Sequence, residues 1–242
     1  MPDETLSPAI ILDHVRFSWP EMPMEFDLRV ARNHIAIVTG PSGSGKSTLL
    51  NLIAGFENAA SGSITIDNRD CTDVPISARP VSFLFQEHNL FAHLTVATNA
   101  GFGIAPRRMI TKEERERVSD ALASVGLSGK EDRLPHQLSG GERQRAAFAR
   151  ILLEDRPVLL LDEPFASLGP SLRLEMMGLL TDMQSTKPST ILAVTHHPLE
   201  WRGVADSFVF VDEGRILATG AIADIENPAL PASVRHYLGA SR

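Results

Sequence analysis

Residues 40–48 read Gly-Pro-Ser-Gly-Ser-Gly-Lys-Ser-Thr, the spacing G-x-x-x-x-G-K-[ST] that wraps backbone around a phosphate chain. Gly40, Gly43 and Gly45 permit the bends that turn successive N–H groups toward one point. Lys46 brings a point charge for the β- and γ-phosphates of a nucleotide, and Ser47 brings a hydroxyl for Mg²⁺. Pro41, Ser42, Ser44 and Thr48 complete the loop. A helical pattern starting near Lys46 lends its positive N-terminal end.

Three further groups of residues fit the same chemistry. Asp162 and Glu163 follow the apolar run Val158–Leu161. Asp162 is placed to hold Mg²⁺, directly or through water, beside Ser47. Glu163 faces the other side of an extended backbone, where it can polarise a water in line with the γ-phosphate. Phosphoryl transfer needs mainly positioning and charge stabilisation, so one such carboxylate suffices. A lone Asp-Glu-Pro is more often a polar turn closed by Pro164; the preceding leucines and the phosphate loop favour the catalytic reading. His196 follows Ile191–Val194 and can hydrogen-bond the γ-phosphate or the attacking water, with His197 a neighbour easily confused with it. Leu138-Ser139-Gly140-Gly141-Glu142 reads as a capping box, Ser139 capping and Glu142 reaching back. It also reads as a second anion site, because two glycines expose N–H groups at a helix start. One nucleotide and two phosphate-binding helix starts imply a sandwich between two subunits.

The elements that must carry these residues alternate strand and helix. Residues 9–19 and 24–31 predict two antiparallel strands, and 35–39 a strand into the loop. The next helix stops at Gly55. Residues 63–67 and 81–85 read as strands, 95–126 as mostly helical, and another helix starts near Ser139. Strand 158–161 is apolar on both faces, as buried parallel strands are. Helix 171–184, strands 190–194, 206–212 and 214–219, and two short helices in 221–238 complete the reading. Phosphate loop, Asp162-Glu163 and His196 each follow a strand, so a parallel sheet gathers them on the edge where open α/β sheets bind ligands. The expected fold is α/β: a P-loop NTPase core with a mostly parallel sheet (residues 1–87 and 157–242), an N-terminal antiparallel β region, and an inserted helical subdomain over about 88–156. The charged run Lys112–Arg117 reads as a solvated helix face.

Composition narrows the partners. The 242 residues carry a formal charge of −7, which argues against a general nucleic-acid surface. The single cysteine, Cys71, excludes an internal disulfide framework and reads as a small half-buried residue. The N-terminal Met-Pro-Asp-Glu lacks the basic start of a signal peptide. No apolar stretch approaches the roughly 18–20 residues that cross a bilayer, so a membrane role must come through a partner.

With these motifs in order, the chain resembles the ATP-binding subunit of an ABC transporter over roughly residues 8–220. Walker A is Gly40–Thr48, the Q-loop glutamine Gln86, the signature Leu138–Gln144, Walker B Leu159–Asp162 followed by Glu163, and the switch histidine His196. The resemblance implies ATP and Mg²⁺ as ligands, the metal held by Ser47, Asp162 and Gln86. It implies a homodimer in which Leu138–Glu142 of one subunit close over the other's ATP. Trp19 resembles the family's adenine-stacking aromatic, with packing under the first sheet as the alternative. Where the family has Ser-Ala-Leu-Asp, this chain has Ala166-Ser167-Leu168-Gly169, which puts ordinary coupling between the two sites in doubt. The run Arg79–Val96, together with Met24-Glu25-Phe26 and Ala60–Ser63, is similar to the ATPase subunits of bacterial thiamine importers. That likeness implies an integral membrane permease docking near Phe85, Leu90 and Phe91, indirectly a periplasmic substrate-binding protein, and a peripheral place on the cytoplasmic face of the inner membrane. Importers of sulfate, polyamine or iron are the alternative. A soluble ABC ATPase acting on DNA or ribosomes is another, although such proteins usually carry coiled coils, zinc cysteines or a second ATPase unit. A phosphate-loop kinase leaves Leu138–Glu142 unexplained.

Overall fold

Ile35–Thr39 is buried along its whole length, so the strand feeding the phosphate loop is covered on both faces. The computed structural model describes residues 8–19, 22–85, 90–105 and 111–240. Its elements in chain order are β1 (Pro8–Trp19), β2 (Met22–Ala31), β3 (Ile35–Thr39), α1 (Lys46–Ala54), β4 (Ser61–Ile66), β5 (Arg69–Asp70), β6 (Val81–Leu84), α2 (Val96–Gly101), α3 (Lys112–Ser124), α4 (Gly140–Leu153), β7 (Val158–Asp162), α5 (Pro170–Thr186), β8 (Thr190–Val194), β9 (Ser207–Asp212), β10 (Arg215–Ala221) and α6 (Ala232–Ala240). Contacts group them into two compact units. One holds Met1–Val81, Pro157–Glu163 and Pro188–Arg242; the other holds Ser82–Arg156 and Pro164–Lys187. The second unit therefore takes in α5 as well as α2, α3 and α4.

In the first unit the strands run in the order β5-β4-β1-β2-β10-β9-β3-β8-β7. The sheet is mixed. β1 pairs antiparallel with β2 and β4, while β9, β3, β8 and β7 run parallel. The sequence explains the division. In β2, Met24, Phe26, Leu28 and Val30 are buried while Asp27 and Arg29 point to solvent, the period-two pattern of a half-buried strand. β3 and β8 are buried at every position, as covered parallel strands must be. Register then fixes the site. Val38 and Asp162 both pair with Val194, so Thr39, Thr195 and Glu163 stand at one level at the ends of three adjacent strands, with Gly40 one residue further along. Next to them Thr39 pairs with Phe210, which brings the end of β9 alongside the loop.

Details departing from the sequence reading have local causes. Cys71 is buried rather than half-buried, because its N–H donates to Ile64 O (2.7 Å) and draws it onto β4. The tail forms one 3₁₀ turn, Ile222–Asp224, and a single helix, α6; Val234 and Leu238 are buried and Tyr237 meets Phe210 edge-on at 5.5 Å. In the second unit α2, α3 and α4 pack on one another. The stretch 95–126 is divided: Thr95 caps α2, and Thr111 with Glu114 forms a capping box for α3. Lys112–Arg117 faces solvent, apart from half-buried Glu114.

Candidate active site

The loop after β3 is built for glycine. Gly40 has φ 146°, and a Cβ there would stand 2.0 Å from Val211 O, so a side chain would collide with backbone. The Ser44 N–H donates to Pro41 O (3.2 Å), and the Leu49 N–H donates to Gly45 O (2.9 Å), which starts the ladder of α1. Lys46 is buried and its Nζ donates to Gly40 O (2.9 Å) and Pro41 O (2.6 Å). The ammonium thus clamps the mouth of the loop at its first two residues. Burial pushes it below the ordinary lysine range, and the carboxylates of Glu163, Asp162 and Asp212 pull it back up.

Asp162 and Glu163 occupy different environments. The Asp162 carboxyl is raised by burial and by neighbouring Glu163; the Ser47 hydroxyl bonded to it, Lys46 and His196 oppose the rise. Ser47 and Asp162 therefore already face each other with hard oxygen donors, the set that suits Mg²⁺. Glu163 takes a left-handed backbone (φ 49°), rare for a residue with a side chain. Its N–H donates to Val194 O (3.2 Å), and its carboxylate lies 2.8 Å from His196 Nε2. Thr195 anchors the histidine turn: its N–H donates to Val38 O (3.0 Å), and its hydroxyl accepts from the His197 N–H (3.0 Å). His196 faces the cleft and His197 is exposed, which separates the two adjacent histidines.

The cleft has a volume of about 350 Å³ and is lined by Trp19, Met22, Met24, Ser42, Gly43, Gly45, Lys46, Ser47, Thr48, Glu163 and His196. Trp19 is 46% exposed, with Nε1 3.4 Å from Thr48 Oγ1 and Phe17 edge-on at 5.2 Å. An exposed indole lining the cleft beside the phosphate loop is a candidate platform on which a base can stack. Met22 and Met24 escaped the sequence reading of the site. The signal was the hairpin pairing, which sets Met22 opposite Trp19 and Met24 opposite Phe17.

Gln86 lies outside the described residues. In the second unit, Ser139 caps α4 with both arms of the capping box: the Ser139 N–H donates to Glu142 Oε2 (2.7 Å), and the Glu142 N–H donates to Ser139 Oγ (3.3 Å). Glu142 also pairs with Lys130. That ammonium, with the Ser139 N–H and hydroxyl, holds its carboxyl down to about 2. Ser139 is exposed and Gly140 and Gly141 half-buried, so the helix start is accessible. Leu138 is buried and its carbonyl accepts from Arg143 Nη1 (2.7 Å). Gly141 packs closely, since a Cβ would lie 3.1 Å from Leu168 Cδ2. Gly169 sits at the N-cap of α5 in an extended conformation, with nothing within 4 Å of a Cβ there. A Cβ at that position meets no clash.

Comparison with known proteins agrees with this geometry. The pattern of the ABC transporter family matches residues 24–166. The chain is 52% identical over 95% of its length, and 91% of the relative's, to the thiamine import ATP-binding protein ThiQ of Mesorhizobium japonicum. It is 50% identical over 98% of its length, and 99% of the relative's, to the protein of the same name from Brucella abortus. Among solved structures it resembles the ATP-binding cassette MJ0796, in a dimeric post-hydrolysis state bound to ADP and Pi. The TM-score is 0.79 at 28% identity, covering 88% of this chain and 98% of that one.

Proposed function

The chain belongs to the ABC transporter family, and from that footing we propose that it is the ATP-hydrolysing subunit of a bacterial importer whose cargo is thiamine. The observation that supports the motor role best is the convergence of a glycine-lined loop, a buried lysine, a Ser47–Asp162 pair and a Glu163–His196 pair on one cleft. The cargo rests on the relatives' names, since the cargo touches none of these residues.

Each residue has a role in this reading. The base of ATP stacks on Trp19. Loop N–H groups and Lys46 hold the β- and γ-phosphates, Lys46 exchanging its two loop carbonyls for phosphate oxygens. Ser47, Asp162 and Gln86 would hold Mg²⁺, which neutralises phosphate charge when bound. Glu163 orients the attacking water and accepts its proton, with His196 held beside it at 2.8 Å. The accessible start of α4, Ser139–Gly141, closes over the γ-phosphate bound by a second copy; the solved relative MJ0796 is itself dimeric. Binding energy from two such closures drives the dimer together, and hydrolysis releases it.

Two variants separate binding from closure. Lys46→Ala removes the charge that meets the phosphates and is expected to weaken ATP binding to the monomer by tenfold or more, on the order of 1.4 kcal/mol. Ser139→Arg puts a bulky cation at the exposed helix start; it should leave monomer binding intact and abolish the ATP-induced dimer. Titration calorimetry and size exclusion read both. Equal loss of ATP affinity in the two variants would argue against a site shared between subunits.

The membrane role enters through Phe91. Its backbone is fixed by Asn99, whose Oδ1 accepts the Phe91 N–H (2.7 Å) and whose Nδ2 donates to the carbonyls of Phe91, Leu94 and Thr95 at 3.0–3.1 Å. Yet the residue is 48% exposed, with its ring edge-on to Phe102 at 5.2 Å. An exposed aromatic side chain on a firmly held backbone suits docking to a permease. Among the described residues no helix is long and apolar enough to cross a membrane. Phe91→Asp should therefore leave the melting temperature of the isolated chain nearly unchanged and prevent co-purification with the permease, because an unpaired carboxylate buried at that contact costs several kcal/mol. A collapse in melting temperature would instead assign Phe91 to the core.

A further inference from the structure

We propose that Gly214, at the turn between β9 and β10, is a positioning residue of the nucleotide site, clasping the phosphate loop to β2, the strand whose Met22 and Met24 line the cleft. This rests on reading residues 40–48 as the ATP-binding loop. Gly214 does not line the cleft; it is buried behind it. Its N–H donates to Ser44 O (3.0 Å), in the middle of the loop, and its carbonyl accepts the Glu25 N–H (3.0 Å) on β2. One residue thus bonds both halves of the site. Met24, next to Glu25, lines the cleft, and its sulfur would stand 3.3 Å from a Cβ on Gly45.

The geometry admits only glycine. Gly214 has φ 73°, and a Cβ there would lie 2.9 Å from Pro23 O, 2.8 Å from Met24 Cγ and 3.1 Å from Met24 Cα. Two of those three atoms are backbone, so rotating the Met24 side chain does not make room. The same strand and turn govern the loop elsewhere. Val211 O forbids a side chain at Gly40, and Gly214 Cα would lie 3.6 Å from a Cβ on Gly45. The loop is therefore crowded by β9 at its first residue and hydrogen-bonded by the turn after β9 at its fifth. Successive N–H groups converge on a phosphate only when the loop carbonyls are held elsewhere. Gly214 holds the Ser44 carbonyl. A side chain there must push the turn off the loop, off β2, or both.

Gly214→Ala is the test. Its cost in this left-handed position and crowded contact predicts an ATP dissociation constant raised about tenfold or more. Glu163 and His196 leave other strands, so turnover at saturating ATP should stay within about twofold of wild type. The loss would sit in KM and not in kcat, a split that loss of stability alone does not produce at temperatures well below melting. Glu213→Gly, at the exposed neighbour in the same turn, should leave the dissociation constant unchanged. Titration calorimetry with ATP and with ADP gives the affinities. An unchanged dissociation constant in folded Gly214→Ala would overturn the inference, as would an equal loss in Glu213→Gly. If Gly214→Ala does not fold, hydrogen exchange on the wild-type chain decides. The Gly214 amide should exchange more slowly once ADP fixes the loop, and no change on ADP binding would refute the clasp. A wild-type chain that binds neither nucleotide would remove the loop reading itself, whereas wild-type binding matched by Gly214→Ala removes only the role of Gly214.

Discussion

Glu163→Gln is expected to bind ATP as the wild type does and to hydrolyse it about 10²–10⁴-fold more slowly, the usual loss when a positioned general base is removed. The substitution is nearly isosteric, so it leaves the loop, the Ser47–Asp162 pair and the left-handed backbone at position 163 in place. The amide oxygen can still accept a hydrogen bond from His196 Nε2, now at 2.8 Å from the carboxylate, so the histidine keeps its orientation. What disappears is the basicity that draws a proton from the attacking water. One negative charge near Lys46 also goes, and a site relieved of it repels the phosphates less. Binding should therefore be kept or improved while the chemical step fails. In the proposed cycle hydrolysis releases the closed pair, so the variant should accumulate as an ATP-bound dimer, visible by size exclusion with ATP and Mg²⁺. Single-turnover phosphate release at the wild-type rate, from a chain that remains monomeric, would sink the assignment of Glu163.

The placement of the candidate site is legible in sequence wherever one strand delivers one residue. Gly40, Asp162 and His196 each follow an apolar run, and β-sheet register does the rest: Val194 pairs with both Val38 and Asp162. The capping box at Ser139 and Glu142 was legible too, because its two hydrogen bonds depend on residues three apart and on nothing distant. What escaped was set by pairing between separated segments. Met22 and Met24 reach the cleft only because β1 and β2 form a hairpin that brings them opposite Trp19 and Phe17. Gly214 stands some 170 residues from Ser44, whose carbonyl it holds, and a glycine after Asp-Glu reads as an ordinary turn. The sequence predicts an extended backbone at Glu163; the structure gives it a left-handed one, which no local signal in Asp-Glu-Pro announces.

Arg79→Leu is expected to lower stability by about 3 kcal/mol or more, and the melting temperature by about 10 °C, because it leaves several carbonyls without donors. Arg79 is 1% exposed. Its Nη1 donates to Leu52 O (2.7 Å) and Ile53 O (2.8 Å), in the last turn of α1; its Nε donates to Val74 O (2.8 Å), and its Nη2 to Thr72 O (3.3 Å). All of these acceptors are backbone. Burial lowers the guanidinium below its ordinary range, with Cys71 and Asp73 opposing the shift. The charge is tolerated because it sits at the C-terminal end of a helix, where unpaired carbonyls concentrate negative partial charge. Gly55 makes room for it: a Cβ there would lie 2.6 Å from Arg79 Nε. Leucine fills part of the volume but supplies no donor, so its shape cannot rescue the carbonyls. Lysine keeps the charge yet lacks the planar fork that spans α1 and the Thr72–Val74 segment together, so Arg79→Lys should fall between wild type and Arg79→Leu. Urea titrations of the three proteins would order them. An Arg79→Leu chain melting within about 2 °C of wild type would mean that water replaces the guanidinium at no cost. The opposite end of α1 carries Lys46 and Ser47, so the residue that finishes this helix also fixes the piece of backbone on which the proposed phosphate-binding groups stand.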